Sequence, residues 1–539
     1  MGFNLFIKNT LLFLSCLIEN VRFFASIKKA EKVQFDLLIK NIKRNQNTKF
    51  GKEHNFNSIT NLKEFREAIP VRKYEEYLPW LDSMLLGEDN ILTIDKIKLF
   101  EPTSGSSGGS KLIPYSGVMS DSFQKGIAVW LSDLYLNFPK LFKLKSYWLI
   151  TPSIMSNQKT KGGITIGFLE DVQYLGKIAP WISDIFVNFN IPKTHFEGKN
   201  FHYAAIRFLI ETKNIGLISI WHPSMLLLFM DAFDKFSDKI IDDICLGTLS
   251  NVESEIKFPA VKPNKNRALE IQRLLGDKNF WEKIWPELQV ISCWGDAAAE
   301  GEAQRLHLKF PNIYMQFKGL LATEAIMTIP LINAKGNVPA FRSHFFEFEE
   351  INQKKIYEIN QLKLGEKYKL ILTNFGGLYR YDIGDIVQVK DFWRKLPVLK
   401  FVGRDMYIDL VGEKLSEIQI EAIVYSKKIE FPFSFLLLAP CKSIERPHYT
   451  LFIESNCDNA QLIVLQDKFE KELCNNIYYS QARLTSQLGN LRVFKITEKG
   501  QEKYIQRNSQ EGQKLGNVKP RYLDIRMNWE NYFSGIYID

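Results

Sequence analysis

Four stretches of this chain combine residue types that could do chemistry. The first is Thr103-Ser-Gly-Ser-Ser-Gly-Gly-Ser-Lys111. Its three glycines, Gly105, Gly108 and Gly109, let main-chain N–H groups turn toward a ligand. Thr103, Ser104, Ser106 and Ser107 add hydroxyls, and Lys111 adds a positive charge. Donors plus a cation on a glycine-rich loop suit a polyphosphate. The pattern GxxxxGK[ST] is absent, so this is not a Walker A loop. The other reading is a solvated linker, which fits poorly between the apolar runs Ile97–Phe100 and Leu112-Ile113-Pro114. The second stretch is Gln316–Ala325, where Glu324 follows Thr323 inside an apolar run. A buried carboxylate needs a partner; magnesium on a nucleotide and the nearby Lys318 both qualify. The third is Gly376–Asp385, with Asp385 after a glycine at an expected strand start. It could accept hydrogen bonds from vicinal hydroxyls, as in a ribose, or cap a turn. The fourth is Phe401-Val-Gly-Arg404 with Asp409–Lys414, readable as a hinge or as an ordinary linker.

These loops need elements to hold them. Residues 1–90 read as mostly helical, with polar breaks near Asn45–Thr48 and Glu53–Asn57. Tyr147–Thr151, Ile215–Trp221 and Leu288–Trp294 are continuous apolar runs, expected as buried strands, with helical patterns such as Ser224–Phe236 between them. That alternation predicts a mainly parallel sheet covered on both faces. Tyr368–Thr373 and Asp385–Val389 flank a Gly-Gly turn and predict an antiparallel pair. From about residue 403 the spacing predicts a smaller α+β unit: helix Ser416–Tyr425, strands Phe433–Leu438 and Tyr449–Ile453, helix Ala460–Ser480, strand Leu491–Ile496. The reading is an α/β protein with a large domain over residues 1–402 and a small one over 403–539.

Composition closes off other classes. The 539 residues are 45% hydrophobic and 24% charged, which excludes a wholly disordered chain. The net charge of +9 is dilute, and no basic stripe interleaves with aromatics, so a nucleic-acid partner is not expected. Six cysteines and seven histidines show neither CxxC nor zinc spacing, as for reduced thiols in a reducing compartment. The apolar segment Phe3–Ile18 is interrupted by Lys8, falls short of a bilayer span and has no A-x-A cleavage pattern. It is expected as a helix packed on a cytoplasmic body, with peripheral membrane contact through residues 1–25 kept open.

In their order and spacing the four stretches resemble the adenylate-forming superfamily. More narrowly, they are similar to the GH3 family of acyl-acid amido synthetases. Thr48–Trp80, Gly162-Gly-Ile-Thr-Ile-Gly, Trp221-His-Pro-Ser, Cys293-Trp-Gly-Asp, Ser343-His-Phe-Phe-Glu-Phe and Gly376-Gly-Leu-Tyr-Arg-Tyr agree with its bacterial members. The resemblance runs from about residue 30 to about 525. It implies a large amino-terminal domain of β-sheets flanked by helices and a small mobile carboxy-terminal lid, an architecture that is by default a monomer. It implies ATP and Mg2+, a carboxylic acid activated as an acyl-adenylate, and transfer to an amine, typically an amino acid. It also implies roles. Thr103, Ser104, Gly105, Ser106, Ser107 and Gly108 would hold phosphates, with Lys111 at the end of that loop. Thr323 would contact phosphate and Glu324 the magnesium. Asp385 would take the ribose. Gly295 and Asp296, in Trp294–Ala297, would border adenine, Gly295 leaving room for the ring. Tyr381 would pack near the nucleotide and Arg404 would mark the hinge. The acyl pocket would lie between Gly162–Phe168, the helix after Trp221 and Phe317–Leu321. Two departures stand out. Ser106 occupies a position where many relatives have Thr. The carboxy-terminal lysine is followed directly by Pro520-Arg521, without the usual spacer, so Lys519 is assigned to the phosphates with Lys514 and Lys414 as alternatives. An acyl-CoA ligase or a catalytically silent acyl-binding protein would share much of this pattern.

Overall fold

The computed structural model describes residues 2–538 apart from 105–109, 149–157, 168–177, 179, 188–197, 251–261, 297–298, 352, 405–406, 409, 412, 414, 427–428, 443–445, 485–487 and 511–520. The amino-terminal helices are α1 (Gly2–Ser26), α2 (Ala30–Arg44), α3 (Lys49–Glu53), α4 (Leu62–Ala68) and α5 (Leu78–Leu85). The first polar break ends in a capping side chain, Thr48, and α4 starts at another, Asn61, beyond the second break. Thr48 accepts from Gly51 N at 2.9 Å and Asn61 accepts from Glu64 N at 3.0 Å. Helix α1 packs through one face. There the buried Asn9 donates to the carbonyls of Phe142 and Leu144, both at 3.1 Å, and accepts from Tyr135 Oη at 2.6 Å.

Strands β1 (Ile97–Ser104) and β2 (Ser110–Ser116) form an antiparallel hairpin that leads into α6 (Gly117–Asn137). After β3 (Lys145–Trp148) come two short strands, β4 (Gln158–Lys159) and β5 (Thr165–Ile166), which widen the hairpin to the order β2-β1-β5-β4. The chain then alternates: α7 (Gly198–Glu211), β6 (Ile215–Ser219), α8 (Pro223–Leu246), α9 (Lys265–Leu274), α10 (Phe280–Ile284), β7 (Val290–Cys293), α11 (Glu300–Lys309) and β8 (Tyr314–Phe317). Strands β3-β6-β7-β8 are all parallel, and β6 and β7 are buried throughout, as their unbroken apolar runs require. Helix α8 continues past its expected end at Phe236, where a single non-helical residue (φ −126°) kinks it.

The expectation of a mainly parallel sheet holds only for this layer. Beyond the two-stranded unit β9 (Leu321–Ala322) and β10 (Ala325–Ile326), the largest sheet has seven strands, every pair antiparallel. It comprises β11 (Thr328–Leu331), β12 (Gly336–Pro339), β13 (Phe345–Glu350), β14 (Ile356–Tyr357), β15 (Lys367–Thr373), β16 (Tyr381–Trp393) and β17 (Leu396–Arg404) in the order β11-β12-β17-β16-β15-β13-β14. The reason is connection length: parallel neighbours need a crossover of a dozen or more residues, and these strands are joined by short turns. One turn escaped notice because its residues are unusual for it. Arg394 and Lys395, at φ 48° and 75°, form the two-residue loop between β16 and β17 that normally selects Asn-Gly.

The carboxy-terminal segment contains β18 (Tyr407–Ile408), β19 (Leu415–Ser416), α12 (Glu417–Val424), β20 (Phe435–Lys442), β21 (Pro447–Glu454), α13 (Asn459–Leu473), α14 (Ile477–Leu484), β22 (Arg492–Glu498), α15 (Gly500–Gln510) and β23 (Ser534–Ile538). Strands β20-β21-β22-β23 form one sheet. The single helix expected over 460–480 is two helices, because Asn476 Oδ1 accepts from Tyr479 N at 3.2 Å and starts a new one. This segment touches the large part through its helices. Gln501 on α15 donates to Glu302 on α11 at 2.7 Å, and Ile418 on α12 packs within 2.8 Å of where a Cβ on Gly403 would lie.

Candidate active site

Three of the four sequence stretches meet in one unit, and the fourth pairs with the third through Asp385 and Arg404. The two ends of the serine- and glycine-rich segment pair in the β1–β2 hairpin: Thr103 stands opposite Lys111 and Ser104 opposite Ser110. Gly105, Ser106, Ser107 and Gly108 lie outside the described residues, and Thr103 and Ser104 are described in backbone only. The Lys111 ammonium lies 5.4 Å from the Tyr74 ring centroid, a cation held on an aromatic face. The Tyr74 hydroxyl is anchored on Leu112, accepting from its N–H at 2.7 Å. It is pushed up to about 12, first by burial, with the negative charge of Glu324 adding to the shift.

Thr323 and Glu324 form the two-residue turn between β9 and β10. Both backbone carbonyls are tied down. Thr323 O accepts from Tyr115 Oη at 2.6 Å, and Glu324 O accepts from Asn374 Nδ2 at 2.9 Å. The Glu324 carboxylate is buried and accepts from Tyr381 Oη at 3.4 Å. Lys318, the other partner the sequence allows for it, donates to Ser219 Oγ at 2.7 Å and lies over the rings of Trp130 and Trp221. Asn374 braces two motifs at once, because its Oδ1 also accepts from Gly376 N at 3.0 Å and Leu378 N at 3.1 Å. Gly376 and Gly377 are required there. A Cβ on Gly376 would meet Pro114 O at 2.7 Å, and Gly377 combines φ +104° with Leu92 at 2.4 Å. The Gly-Gly turn is thus seated on strand β2. Sequence reasoning missed Asn374, Tyr74 and Tyr115; the available signal was an Asn two residues before Gly-Gly, an Asx-turn pattern. Arg380 belongs to the framework. Its guanidinium donates to Glu347 at 2.8 Å and to the carbonyl of Ile69 at 2.7 Å.

Asp385 does not start a strand. Strand β16 begins at Tyr381, and Asp385 lies within it beside Gly384, whose φ of +80° opens a bulge against β15. A second irregularity follows on the other side, where Asp385 pairs with Arg404 and Ile386 with Gly403. Bulges re-aim side chains near functional sites. Asp385 is buried, and Arg404 is described in backbone only.

The carboxyl ends of β6, β7 and β8 supply the next wall, the usual ligand edge of a parallel layer. Trp294 N donates to Trp221 O at 2.7 Å, and its ring meets Phe401 edge-on at 5.5 Å. Asp296 accepts from Phe401 N at 3.3 Å, stitching this edge to β17 just before Gly403. The ring for which Gly295 makes room is Phe317: a Cβ on Gly295 would stand 2.1 Å from Phe317 Cδ1. Ala297 lies outside the described residues, as do Lys414, Lys514 and Lys519. At the same edge His222, which caps α8 through Ser224, stands 4.0 Å from Glu302. Burial raises the Glu302 carboxyl above the usual range, and Gln501 reaches it from the carboxy-terminal segment.

Among the described residues no group of three or more His, Cys, Asp or Glu side chains could hold a metal by itself. A single buried carboxylate, Glu324, fits a magnesium that takes its other ligands from phosphate oxygens and water.

Three family models match in succession: the GH3 family N-terminal domain over residues 21–314, the central domain over 338–404 and the C-terminal domain over 424–524. The chain belongs to the GH3 family. Its curated relatives include indole-3-acetic acid-amido synthetase GH3.3 of Arabidopsis thaliana, 22% identical over 88% of this chain and 86% of the relative. Another is jasmonoyl–L-amino acid synthetase JAR4 of Nicotiana attenuata, 23% identical over 83% of this chain and 82% of the relative. Among solved structures, AtGH3.15 acyl acid amido synthetase in complex with 2,4-DB matches with a TM-score of 0.80 at 18% identity, covering 97% of each chain. A 2-hydroxyisobutyryl-CoA ligase in the postadenylation state matches with a TM-score of 0.50 at 9% identity, covering 92% of this chain and 88% of the ligase. The fold is the adenylate-forming one, of the α/β class. In this GH3 chain the Thr323-Glu324 turn, the Gly376-Gly377 turn and the hairpin are braced by Asn374, Tyr115 and Pro114 into one unit.

Proposed function

We propose that this GH3 chain is an ATP- and magnesium-dependent acyl-acid amido synthetase, an amide-forming ligase. The observation that carries the reading is the meeting of the hairpin, the buried Glu324 held by Tyr381, and Asn374 in one braced unit. A carboxylate is a poor electrophile because oxide would have to leave. Its oxygen attacks the α-phosphorus of ATP, pyrophosphate departs, and an acyl-adenylate results. The amine nitrogen, losing a proton, then attacks the acyl carbon, and AMP departs. In the proposed roles the amides and hydroxyls of Thr103–Gly108 and Lys111 hold phosphate, and Thr323 contacts it. Glu324 faces the magnesium, Asp385 accepts from the ribose, and Gly295, Asp296 and Tyr381 border the nucleotide. Lys519 supplies a cation to the phosphates, and Arg404 marks the hinge between residues 1–402 and the lid 403–539. Catalysis is positioning and charge neutralisation, each donor or cation being worth on the order of 3 kcal/mol. The amine is an amino acid, as the names of the curated relatives suggest. The protein acts as a cytoplasmic monomer and groups with the bacterial members of its family.

Purified protein assayed for ATP–pyrophosphate exchange with pooled carboxylic acids tests this. Acid-dependent exchange is expected, followed by amide formation when amino acids are added. Thioester formation with thiols and no amide would turn the reading to an acyl-CoA ligase. Failure to bind ATP at all would sink the adenylation chemistry.

A further inference from the structure

Helix α1 has two apolar faces. Leu5, Leu12, Cys16 and Phe23 are buried, the first three in a core shared with Leu131 and Leu141. The opposite face carries Ile7, Leu11, Leu14, Ile18 and Val21, all exposed, with Ile18 at 62%. Their spacing of four, three, four and three residues lines them in one strip about 21 Å long at 1.5 Å per residue. Trp181 is 77% exposed, and its chain neighbour Ile182 is buried in the same core as Leu5 and Leu12. Single exposed apolar residues are ordinary; a continuous strip of five along one helix face marks an interaction surface.

The charges around the strip select its partner. In residues 4–30 the basic side chains are Lys8, Arg22, Lys28 and Lys29, and the one acid, Glu19, is held by Arg342 at 2.6 Å. Lys8 pairs with Asp184, while Arg22, Lys28 and Lys29 are exposed. A second copy pairing along the strip would bring Arg22, Lys28 and Lys29 against like charges. An anionic bilayer surface complements them. We propose that the outer face of α1 docks this protein on the surface of a membrane rich in anionic lipid. The strip enters the headgroup–acyl boundary, and Arg22, Lys28 and Lys29 meet lipid phosphates. The helix lies on the bilayer and does not cross it, because Asn9 and the inner face stay bound to Tyr135, Phe142 and Leu144.

Full-length protein sedimented with vesicles tests this, using phosphatidylcholine alone and an equal mixture of phosphatidylcholine and phosphatidylglycerol. Binding to the anionic vesicles and little to the neutral ones is expected. The Leu14→Glu/Ile18→Glu variant should lower the bound fraction about tenfold, with an unchanged unfolding midpoint. Lys28→Glu/Lys29→Glu should weaken binding by about fivefold per charge removed. No binding to anionic vesicles overturns the proposal, as does binding indifferent to Leu14→Glu/Ile18→Glu. A wild-type dimer that the same variant makes monomeric would assign the strip to a second copy instead.

Discussion

Gly295→Ala tests whether the end of β7 shapes the nucleotide site. The new Cβ would stand 2.1 Å from Phe317 Cδ1, 2.5 Å from Cγ and 2.7 Å from Cε1. The three nearest atoms all belong to the phenyl ring, which must withdraw by ~1.3 Å to bring its nearest atom to an ordinary 3.4 Å. Phe317 is 42% exposed and has room to swing outward. The stability loss should therefore sit at the low end of overpacking, about 1 kcal/mol. The functional loss should be larger. Phe317 ends β8 and precedes Lys318, whose ammonium is fixed on Ser219 between two indoles. A displacement near 1 Å at a reacting site can reduce rate about a hundredfold. The expected outcome is a thermal midpoint lowered by only about 1 °C and ATP–pyrophosphate exchange lowered about a hundredfold in kcat/KM. Gly295→Ala/Phe317→Ala removes the clash and should recover most of that exchange. Undiminished exchange in Gly295→Ala would refute the argument: the glycine would then serve only to seat Phe317.

Asp385→Ala should weaken ATP binding by about tenfold or more, since a hydrogen bond to a carboxylate contributes roughly 1.5–3 kcal/mol; equal affinity by calorimetry would leave Asp385 as a bulge residue only. Glu324→Gln keeps the acceptor for Tyr381 but removes the charge, so half-maximal exchange should need more magnesium; a titration matching wild type would return Glu324 to anchoring its turn. Glu347→Ala removes the carboxylate that Arg66 and Arg380 hold at 2.7 and 2.8 Å, leaving Arg66 with Glu358 at 3.8 Å and Arg380 with backbone carbonyls. A loss of about 3–5 kcal/mol is expected in urea unfolding, and a loss under about 1 kcal/mol would show that those remaining partners suffice for both arginines. The Glu421 carboxyl is pushed up to about 7, first by burial and then by Glu417, with Glu300 adding and Lys400 and Lys367 opposing. The folded state holds a proton there that the unfolded chain releases, so this contribution is full below pH 4.5 and is lost as pH rises toward 7. Glu421→Gln should therefore gain thermal stability over wild type between pH 5 and pH 8; a gap that stays constant across that range would reject the assignment.

The parallel layer was legible because β6 and β7 are buried on both faces, leaving runs such as Ile215–Ser219 without a polar break. The seven-stranded antiparallel sheet was legible only in part. Its β15–β16 pair showed through Gly376-Gly377, but Arg394-Lys395 carries no turn signature although it adopts a tight hairpin loop. The break in the helix over 460–480 was hidden for a similar reason, since Asn475-Asn476 reads as a tolerable polar step until Asn476 is seen to cap α14. At the site, glycines and buried carboxylates declared themselves, because a glycine-rich loop and a charged residue in an apolar run each call for an explanation. Tyr115, which braces the site, is an ordinary residue in sequence, and Asn374 shows there only as a turn residue before Gly376-Gly377.

The sequence by itself determined which residues needed partners. Glu324 in an apolar run had to find a donor, and Gly295, Gly377 and Gly384 had to stand where a side chain would collide or strain the backbone. Only the tertiary structure decided who those partners are. One donor to Glu324 is Tyr381, 57 residues away, while Lys318 reaches Ser219 and Lys111 the face of Tyr74. Asp296 likewise took a backbone partner on β17, and the space beside Gly295 went to Phe317. The requirement for a partner is local, a matter of charge and burial. The choice depends on which strands and turns are brought within about 3 Å, and that is settled by sheet order and register across hundreds of residues.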